Sequence, residues 1–196
     1  MQRRKNKQRV ILQLRRNSAL QFLTSTLYLI VLTSLVAVPK SAAPIDRESE
    51  YELRLVNTHT GKRLDIVYRR GASYIPQALT ELDAYLRDRR TGDIRHFDPR
   101  VFDLLYDLQT KLGRLHSEID VVCGYRSPWS NEFLRTHGHK VAQNSLHMQA
   151  MAIDIRIPGV SASQLRDAAL SLDRGGVGYY ADSGFVHVDV GRVRRW

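Results

Sequence analysis

Hydrophobic and polar residues alternate along several short segments of the chain, and this period of two predicts β-strands. Two alternating segments flank a turn that contains Gly61, which predicts a β-hairpin. The last two predicted strands of the chain follow a turn at Gly175 and Gly176. We predict six strands in all, at residues 51–57, 64–68, 118–123, 152–157, 177–180 and 185–190.

Apolar residues spaced three and four apart predict helices between these strands. The clearest helix opens with Asp98 and Pro99, an N-cap residue and a first-turn proline, and closes at Gly113. Ser161 is the predicted N-cap of the last helix. The predicted helices cover residues 77–86, 98–113, 129–135 and 161–172. This mixture, with no internal repeat, predicts an α+β domain in which helices cover an antiparallel sheet.

The first 43 residues have the pattern of an export leader. Residues 1–16 are basic and polar, residues 17–38 are uncharged and mostly apolar, and small residues follow at 41–43. This order is typical of a secretory signal. The apolar segment also reaches the length of about 20 residues that spans a bilayer, so an uncleaved anchor in the inner membrane is the alternative. The pair Arg15-Arg16 suggests the twin-arginine pathway as an alternative to the general secretory pathway for export.

The leader also accounts for most of the formal net charge of +10. Eight of the 30 Lys and Arg residues and none of the 20 Asp and Glu residues lie in residues 1–43, which leaves 22 basic and 20 acidic residues in 44–196. A nearly balanced domain argues against a nucleic-acid partner. We therefore expect a leader at 1–43, a polar linker at 44–50 and one exported, monomeric domain at 51–196, in the periplasm or cell envelope.

Cys123 is the single cysteine of the chain, so the sequence excludes an intramolecular disulfide. It lies in the apolar segment 119–123, and the expected role is that of a small buried hydrophobic residue.

Two predicted strands carry ionisable residues on one face only. Asp154 lies on the face opposite the isoleucines of its strand, and His187 shares a face with Asp189. If the strands are neighbours, Asp154 and His187 meet, and His147 enters from the turn that precedes the first strand. Two histidines and one carboxylate suit catalytic zinc, with a fourth position left for water. The spacing alone also fits a structural histidine and an ion-paired aspartate.

Several motifs that occur in order over residues 50–196 favour a metal site over the structural alternatives. The chain resembles the zinc D-alanyl-D-alanine carboxypeptidase and murein endopeptidase family, within a wider lysostaphin-like and Hedgehog-like zinc fold, and most closely the murein endopeptidase K type. The motifs are Gly124-Tyr-Arg-Ser127, SLHMQ (145–149), AIDIR (152–156), RGGVGYY (174–180), FVHVD (185–189) and GRVRRW (191–196).

The resemblance implies roles for particular residues. The ligands of one zinc ion would be His147, Asp154 and His187. Ser145 would orient a ligand or the site loop. Arg126 would contact a substrate carbonyl or carboxylate and stabilise an oxyanion.

Two positions depart from the pattern of the family. Many relatives have an acidic general base three residues before the last zinc histidine, where this chain has Gly184. We expect Asp189 to be the base, with Asp182 as the alternative; Asp189 could instead hold His187 in place. The second departure, Ala150-Met151 where relatives often have Gly and a polar residue, indicates a change in packing.

The expected function is hydrolysis of amide bonds in peptidoglycan stem peptides or cross-links, during growth or remodelling of the cell wall. A non-catalytic, zinc-stabilised module that binds peptidoglycan or acts as a scaffold is the alternative, because Gly184 cannot act as a base. The sequence leaves three bonds open: a D,D cross-link, an L,D cross-link and a terminal D-alanine. His137 and His139 are expected to be polar loop residues beside the cleft.

Overall fold

The computed structural model describes residues 49–137 and 141–196. The leader, the segment 17–38 that could serve as a tether, most of the linker and His139 lie outside these ranges. None of the helices within the described ranges is long and apolar enough to cross a membrane.

The described chain contains eight strands, four α-helices and one short 3₁₀ helix. The strands are β1 (Glu50–Asn57), β2 (Arg63–Arg70), β3 (Ser73–Tyr74), β4 (Glu118–Cys123), β5 (Ala152–Arg156), β6 (Gly176–Tyr180), β7 (Phe185–Asp189) and β8 (Arg194–Arg195). The α-helices are α1 (Pro76–Tyr85), α2 (Arg100–Lys111), α3 (Pro128–Thr136) and α4 (Ala162–Leu172), and the 3₁₀ helix is Leu146–Gln149.

All eight strands form one sheet in the order β3-β2-β1-β4-β5-β7-β6-β8. The predicted α+β class is confirmed. The sheet is mixed rather than wholly antiparallel, because β1 pairs with β4 and β6 pairs with β8 in parallel. The chain returns to β4 through α1 and α2, and such a long crossover is what a parallel neighbour requires. The predicted hairpin is β1–β2.

The core lies between the sheet and the apolar sides of the helices. Strand β1 buries Leu53 and Leu55, and α2 buries Phe102, Leu105 and Leu108 in the same cluster. Burial of each of these side chains stabilises the fold by about 1.5–3 kcal/mol. Helix α2 begins at Arg100, with Pro99 as the N-cap residue. Asp98, the expected N-cap, lies one position before the observed N-cap, and its carboxylate accepts the backbone N–H of Arg100.

Asp88 fixes the start of α3 through its buried carboxylate. The carboxylate accepts the backbone N–H of Ser127 at 2.6 Å and that of Arg90 at 2.8 Å. Burial alone would raise the pKa of Asp88, but hydrogen bonds from Ser130, Ser127 and Arg90 outweigh burial and lower the pKa from 3.8 to about 2. Ser127 is the N-cap of α3 and follows Arg126 directly, so this carboxylate also anchors the backbone of a predicted site residue.

The lowered pKa of Asp88 makes its contribution to stability depend on pH. The folded state binds this proton more weakly than the unfolded state, so the contribution is complete above pH ~4 and is lost as the pH falls through about 2. At pH 7 we expect the free energy of unfolding of Asp88→Asn to be about 2 kcal/mol lower than that of wild type. This difference should be smaller at pH 2. Urea denaturation at the two pH values measures it; an unchanged difference would refute this role.

Candidate metal centre

The register of the central strands places the predicted residues in one row across the sheet. Strands β5 and β7 are neighbours, which was the condition for the predicted meeting, and Asp154 on β5 lies opposite His187 on β7. Cys123 on β4 lies opposite Asp154, and Gly178 on β6 lies opposite His187. We call these four residues the cross-strand row.

His147 reaches the row from the 3₁₀ helix that precedes β5. Ser145 is the N-cap of this helix, and its hydroxyl accepts the backbone N–H of His147 at 3.4 Å. Ala150 ends the helix in the left-handed region with φ 53°. A residue other than glycine there carries a conformational cost of about 1–2 kcal/mol. Ala150, which stands where relatives often have Gly, therefore lies in the turn that directs His147 to β5.

Three candidate ligand atoms, which we call the triangle, converge at the centre of the site. His147 Nε2 lies 3.0 Å from His187 Nδ1 and 3.1 Å from Asp154 Oδ1, and His187 Nδ1 lies 2.9 Å from Asp154 Oδ1. All three side chains are buried. Ligands that share a tetrahedral zinc ion at the usual bond lengths are about 3.3 Å apart. The separations observed are close to this value.

Hydrogen bonds outside the triangle determine which nitrogens face it. His147 Nδ1 donates to the carbonyl oxygen of Gly124 at 2.8 Å, since a carbonyl can only accept. His187 Nε2 donates to Asp189 Oδ2 at 3.0 Å. In their neutral forms both imidazoles therefore direct a lone pair at Asp154 Oδ1. Two lone pairs and a carboxylate oxygen at hydrogen-bond distance require a cation or a proton between them.

The charge states in the metal-free site follow from the same arrangement. Burial alone would lower the pKa of His147, but Asp154 and Cys123 beside it raise that pKa to about 10. Burial alone would raise the pKa of Asp154, but the two histidines hold it well below its usual range. The triangle thus favours an ionised carboxylate beside positive charge, the environment that a divalent cation would supply.

Cys123 is a fourth candidate donor that the sequence interpretation undervalued. Its Sγ lies within 4.8 Å of the ligand atoms of His147 and Asp154, and the thiol is half-buried. Sulfur is a good zinc ligand. The sequence contained the signal, because Cys123 ends a strand that pairs with β5, but the pairing was not predictable from the local pattern.

Asp189 does not lie where a general base would act. Its carboxylate is fully buried and faces Nε2 of His187, on the far side of the ring from the triangle. Arg194 donates to both carboxylate oxygens at 3.0 and 2.7 Å, and the backbone N–H groups of Gly176 and Gly191 complete the set. These donors outweigh burial and hold the pKa of Asp189 below its usual range. This geometry favours the second of the two expected roles, in which Asp189 orients His187.

The alternative predicted base is Asp182. It lies in the exposed turn that connects β6 and β7, together with Gly184. Asp182 does not line the cleft above the triangle, and Asp154 is the only carboxylate among the described residues that do. The structure therefore brings neither predicted base to the ligand atoms. His137 is exposed, donates its Nδ1–H to the backbone carbonyl of Phe133 in its own helix and stacks on the Phe133 ring.

Arg126 is buried at the β4 side of the triangle. Its guanidinium contacts Asn131 Oδ1 at 3.3 Å and lies 3.9 Å from Asp154 Oδ2. Its Nε has no hydrogen-bond partner within the described structure. A buried N–H without a partner is costly unless something else binds it.

A cleft of about 570 Å³ opens above the triangle. Arg126, Asn144 and Ser145 line the β4 side, and aromatic side chains line the β6 side. The remaining described lining residues are Val141, Ala142, Leu146, His147, Asp154, Tyr180, Phe185, His187, Arg194 and Trp196. The cleft thus gives a substrate access to the buried ligand atoms from one side.

Arg194→Ala should weaken metal binding although Arg194 is not a ligand. The substitution leaves the Asp189 carboxylate without its ion-pair partner, so the carboxylate holds His187 less firmly. Loss of such supporting contacts weakens metal affinity by about 10–100-fold. Zinc competition with a chelating dye measures the affinity, and Arg195→Ala, the exposed neighbour, is the matched control. Equal affinity in both variants and wild type would contradict this assignment.

Comparison with known proteins identifies the family of the chain. The family described as "Peptidoglycan L,D-endopeptidase MepK" (Peptidase_M15_2) matches residues 46–196. The chain is 44% identical over 140 residues to a "Probable peptidoglycan L,D-endopeptidase MepK" from Haemophilus influenzae, covering 71% of this chain and 75% of the relative. It is 42% identical over 144 residues to the "Peptidoglycan L,D-endopeptidase MepK" of Escherichia coli K12, covering 74% and 79%. The resemblance found in the sequence is confirmed, and the chain belongs to the Peptidase_M15_2 family of peptidoglycan L,D-endopeptidases.

Proposed function

We propose that this chain hydrolyses L,D cross-links of peptidoglycan and holds one zinc ion with His147, Asp154 and His187. The names of the relatives, which match most of the domain, support this substrate. Among the three bonds that the sequence had left open, these names support the L,D cross-link.

The observation that carries the proposal is the convergence of two imidazole lone pairs and one carboxylate oxygen within 2.9–3.1 Å. The donor set suits zinc, because imidazole nitrogen and carboxylate oxygen are common zinc ligands and three protein ligands leave a position open. When bound, zinc lowers the pKa of a water molecule to near neutrality and polarises a carbonyl group. Cys123 is the alternative third or fourth donor.

The other residues of the site have supporting roles in this proposal. Arg126 presents fixed positive charge to the substrate carbonyl and stabilises the negative charge that develops on its oxygen. Ser145 holds the backbone of His147, and Asp189 fixes the ring of His187 through its Nε2. The carbonyl of Gly124 on His147 Nδ1 and the carboxylate of Asp189 on His187 Nε2 determine which nitrogen of each histidine faces the site.

The place of action follows from the substrate. Peptidoglycan lies outside the cytoplasmic membrane, so we propose that the domain acts in the cell envelope as a monomer. The pattern of residues 1–43 supports export, and residues 17–38 would tether the domain if they are not cleaved. The small net charge of residues 44–196 gives no reason to expect nucleic acid as a partner.

Digestion of defined muropeptides tests the proposal. Residues 44–196 are incubated with L,D-cross-linked and D,D-cross-linked dimers, with and without zinc, and the products are identified by mass spectrometry. We expect monomers from the L,D dimer only, and no product after chelation. A folded, zinc-loaded protein that binds the dimers without cleaving either would support the non-catalytic binding module instead.

A further inference from the structure

We propose that Trp196 forms the wall of the cleft that contacts the aliphatic side chain of the cross-linking residue, and thereby determines substrate preference. This inference rests on the proposed function. It concerns the β6 side of the cleft, opposite Arg126.

The backbone fixes Trp196 beside β6. Trp196 donates its backbone N–H to Val177, and its carbonyl accepts the N–H of Tyr179 at 3.0 Å. The indole Nε1 donates to Tyr180 Oη at 3.1 Å. Contacts at the backbone and at the ring nitrogen leave the indole little freedom to rotate, so its position is a stable feature of the cleft.

Gly178 gives the indole the space to lie across β6. A Cβ atom at Gly178 would lie 2.7–2.8 Å from three atoms of the Trp196 ring, which is too close for any side chain. Gly178 belongs to the cross-strand row and lies opposite His187. The glycine therefore allows an aromatic ring to cover the row directly beside a candidate metal ligand.

The indole lies at the edge of the site and remains accessible. Its ring centroid is 5.2 Å from that of His187, and Trp196 is 51% exposed while lining the cleft. Tyr180 and Phe185, which stack on each other at 4.5 Å, line the same side. An exposed aromatic surface inside a cleft is a binding surface for apolar groups.

The two sides of the cleft differ in chemistry, which orients a substrate. Arg126 and Asn144 on the β4 side suit carbonyl and carboxylate oxygens, and the aromatic side suits methylene groups. A cross-linking diamino acid carries both kinds of group around the amide that is cleaved. With its carbonyl towards Arg126, its methylene chain lies against Trp196.

Kinetics with two synthetic substrates test this contact. Both are L,D-cross-linked peptides, and they differ in the residue whose carbonyl belongs to the cleaved amide. The side chain of this residue has three methylenes in one peptide and one methylene in the other. We expect wild type to favour the longer chain by at least about tenfold in kcat/KM. Trp196→Ala should remove this preference, mainly through KM for the longer chain, and Trp196→Phe should retain part of it. Gly178→Ala, which displaces the ring, should act like Trp196→Ala.

Two controls separate a contact with substrate from a structural role. Trp129→Ala removes an exposed tryptophan outside the cleft and should leave both substrates unaffected. Zinc content and melting temperature should be unchanged in Trp196→Ala. An equal loss on both substrates, or a loss of zinc, would overturn the proposal in favour of a structural role.

Binding without turnover distinguishes this inference from the proposed function. The chain has two tryptophans, so Trp196 is the only one left in Trp129→Phe. In that variant, freed of zinc, the longer peptide should shift the indole emission and bind about tenfold more tightly than the shorter one. If the emission shifts in this way but the zinc-loaded wild-type protein never hydrolyses the peptide, the role of Trp196 is correct and the proposed function is wrong. If the wild-type enzyme cleaves the peptide but the emission never changes, the wall is wrong.

Discussion

His147→Ala is expected to lower the rate of cross-link hydrolysis by at least about a thousandfold and to abolish tight zinc binding. The substitution removes one of three converging ligand atoms and leaves His187 Nδ1 and Asp154 Oδ1 with one partner fewer. Two ligands hold zinc much more weakly than three. Steady-state rates on an L,D-cross-linked dimer and zinc content by elemental analysis are the two measurements.

A matched histidine outside the site serves as the control for His147→Ala. His59 is exposed and contacts the carbonyl of Val122, so His59→Ala should retain both activity and zinc. A His147→Ala protein that keeps one equivalent of zinc and a rate within tenfold of wild type would show that His147 is not a ligand.

Arg126→Ala is expected to lower kcat by about 100–1000-fold while zinc stays bound. The guanidinium is buried beside Asp154 and lines the cleft, so it presents fixed positive charge to a substrate oxygen there. Because this contact strengthens as negative charge develops, its loss should appear in kcat more than in KM. Arg126→Lys keeps the charge without the planar group and should lose less.

Zinc content and fold must be measured in the same Arg126 variants. Arg126 also contacts Asn131 of α3, and the melting temperature reports any damage from the loss of this contact. Arg135→Ala, on the exposed side of α3, is the matched control and should have wild-type kinetics. A loss of activity that tracks a loss of zinc would assign Arg126 to the integrity of the site rather than to the substrate oxygen.

The alternating strands were the most informative part of the sequence. The period of two placed Asp154 and His187 on the polar faces of two strands, and the observed register sets them directly opposite each other. The predicted N-cap at Ser161 is also observed, as a capping box with Gln164. The polar strand faces and the cap depend on neighbouring residues in the chain, so local patterns were sufficient to predict them. The pairing of the two strands was only a condition of the prediction.

Features that depend on distant parts of the chain were not predictable in the same way. Asp189 shares a strand face with His187, which suggested a base, but Arg194 and two backbone amides enclose its carboxylate. The short strands β3 and β8 have no periodic pattern, because two residues are too few to alternate. Their pairing follows from the tertiary fold, and β8 in turn places Trp196 over Gly178.

The measurement that tests the central claim most directly is zinc K-edge X-ray absorption of the zinc-loaded domain. It reports the kind of atom that binds the metal and its distance. The result expected is a first shell of nitrogen and oxygen at about 2.0–2.2 Å, with imidazole scattering from two histidines and no sulfur. A sulfur at about 2.3 Å would place Cys123 in the ligand set, and a spectrum with fewer than two imidazoles would contradict the assignment of His147 and His187.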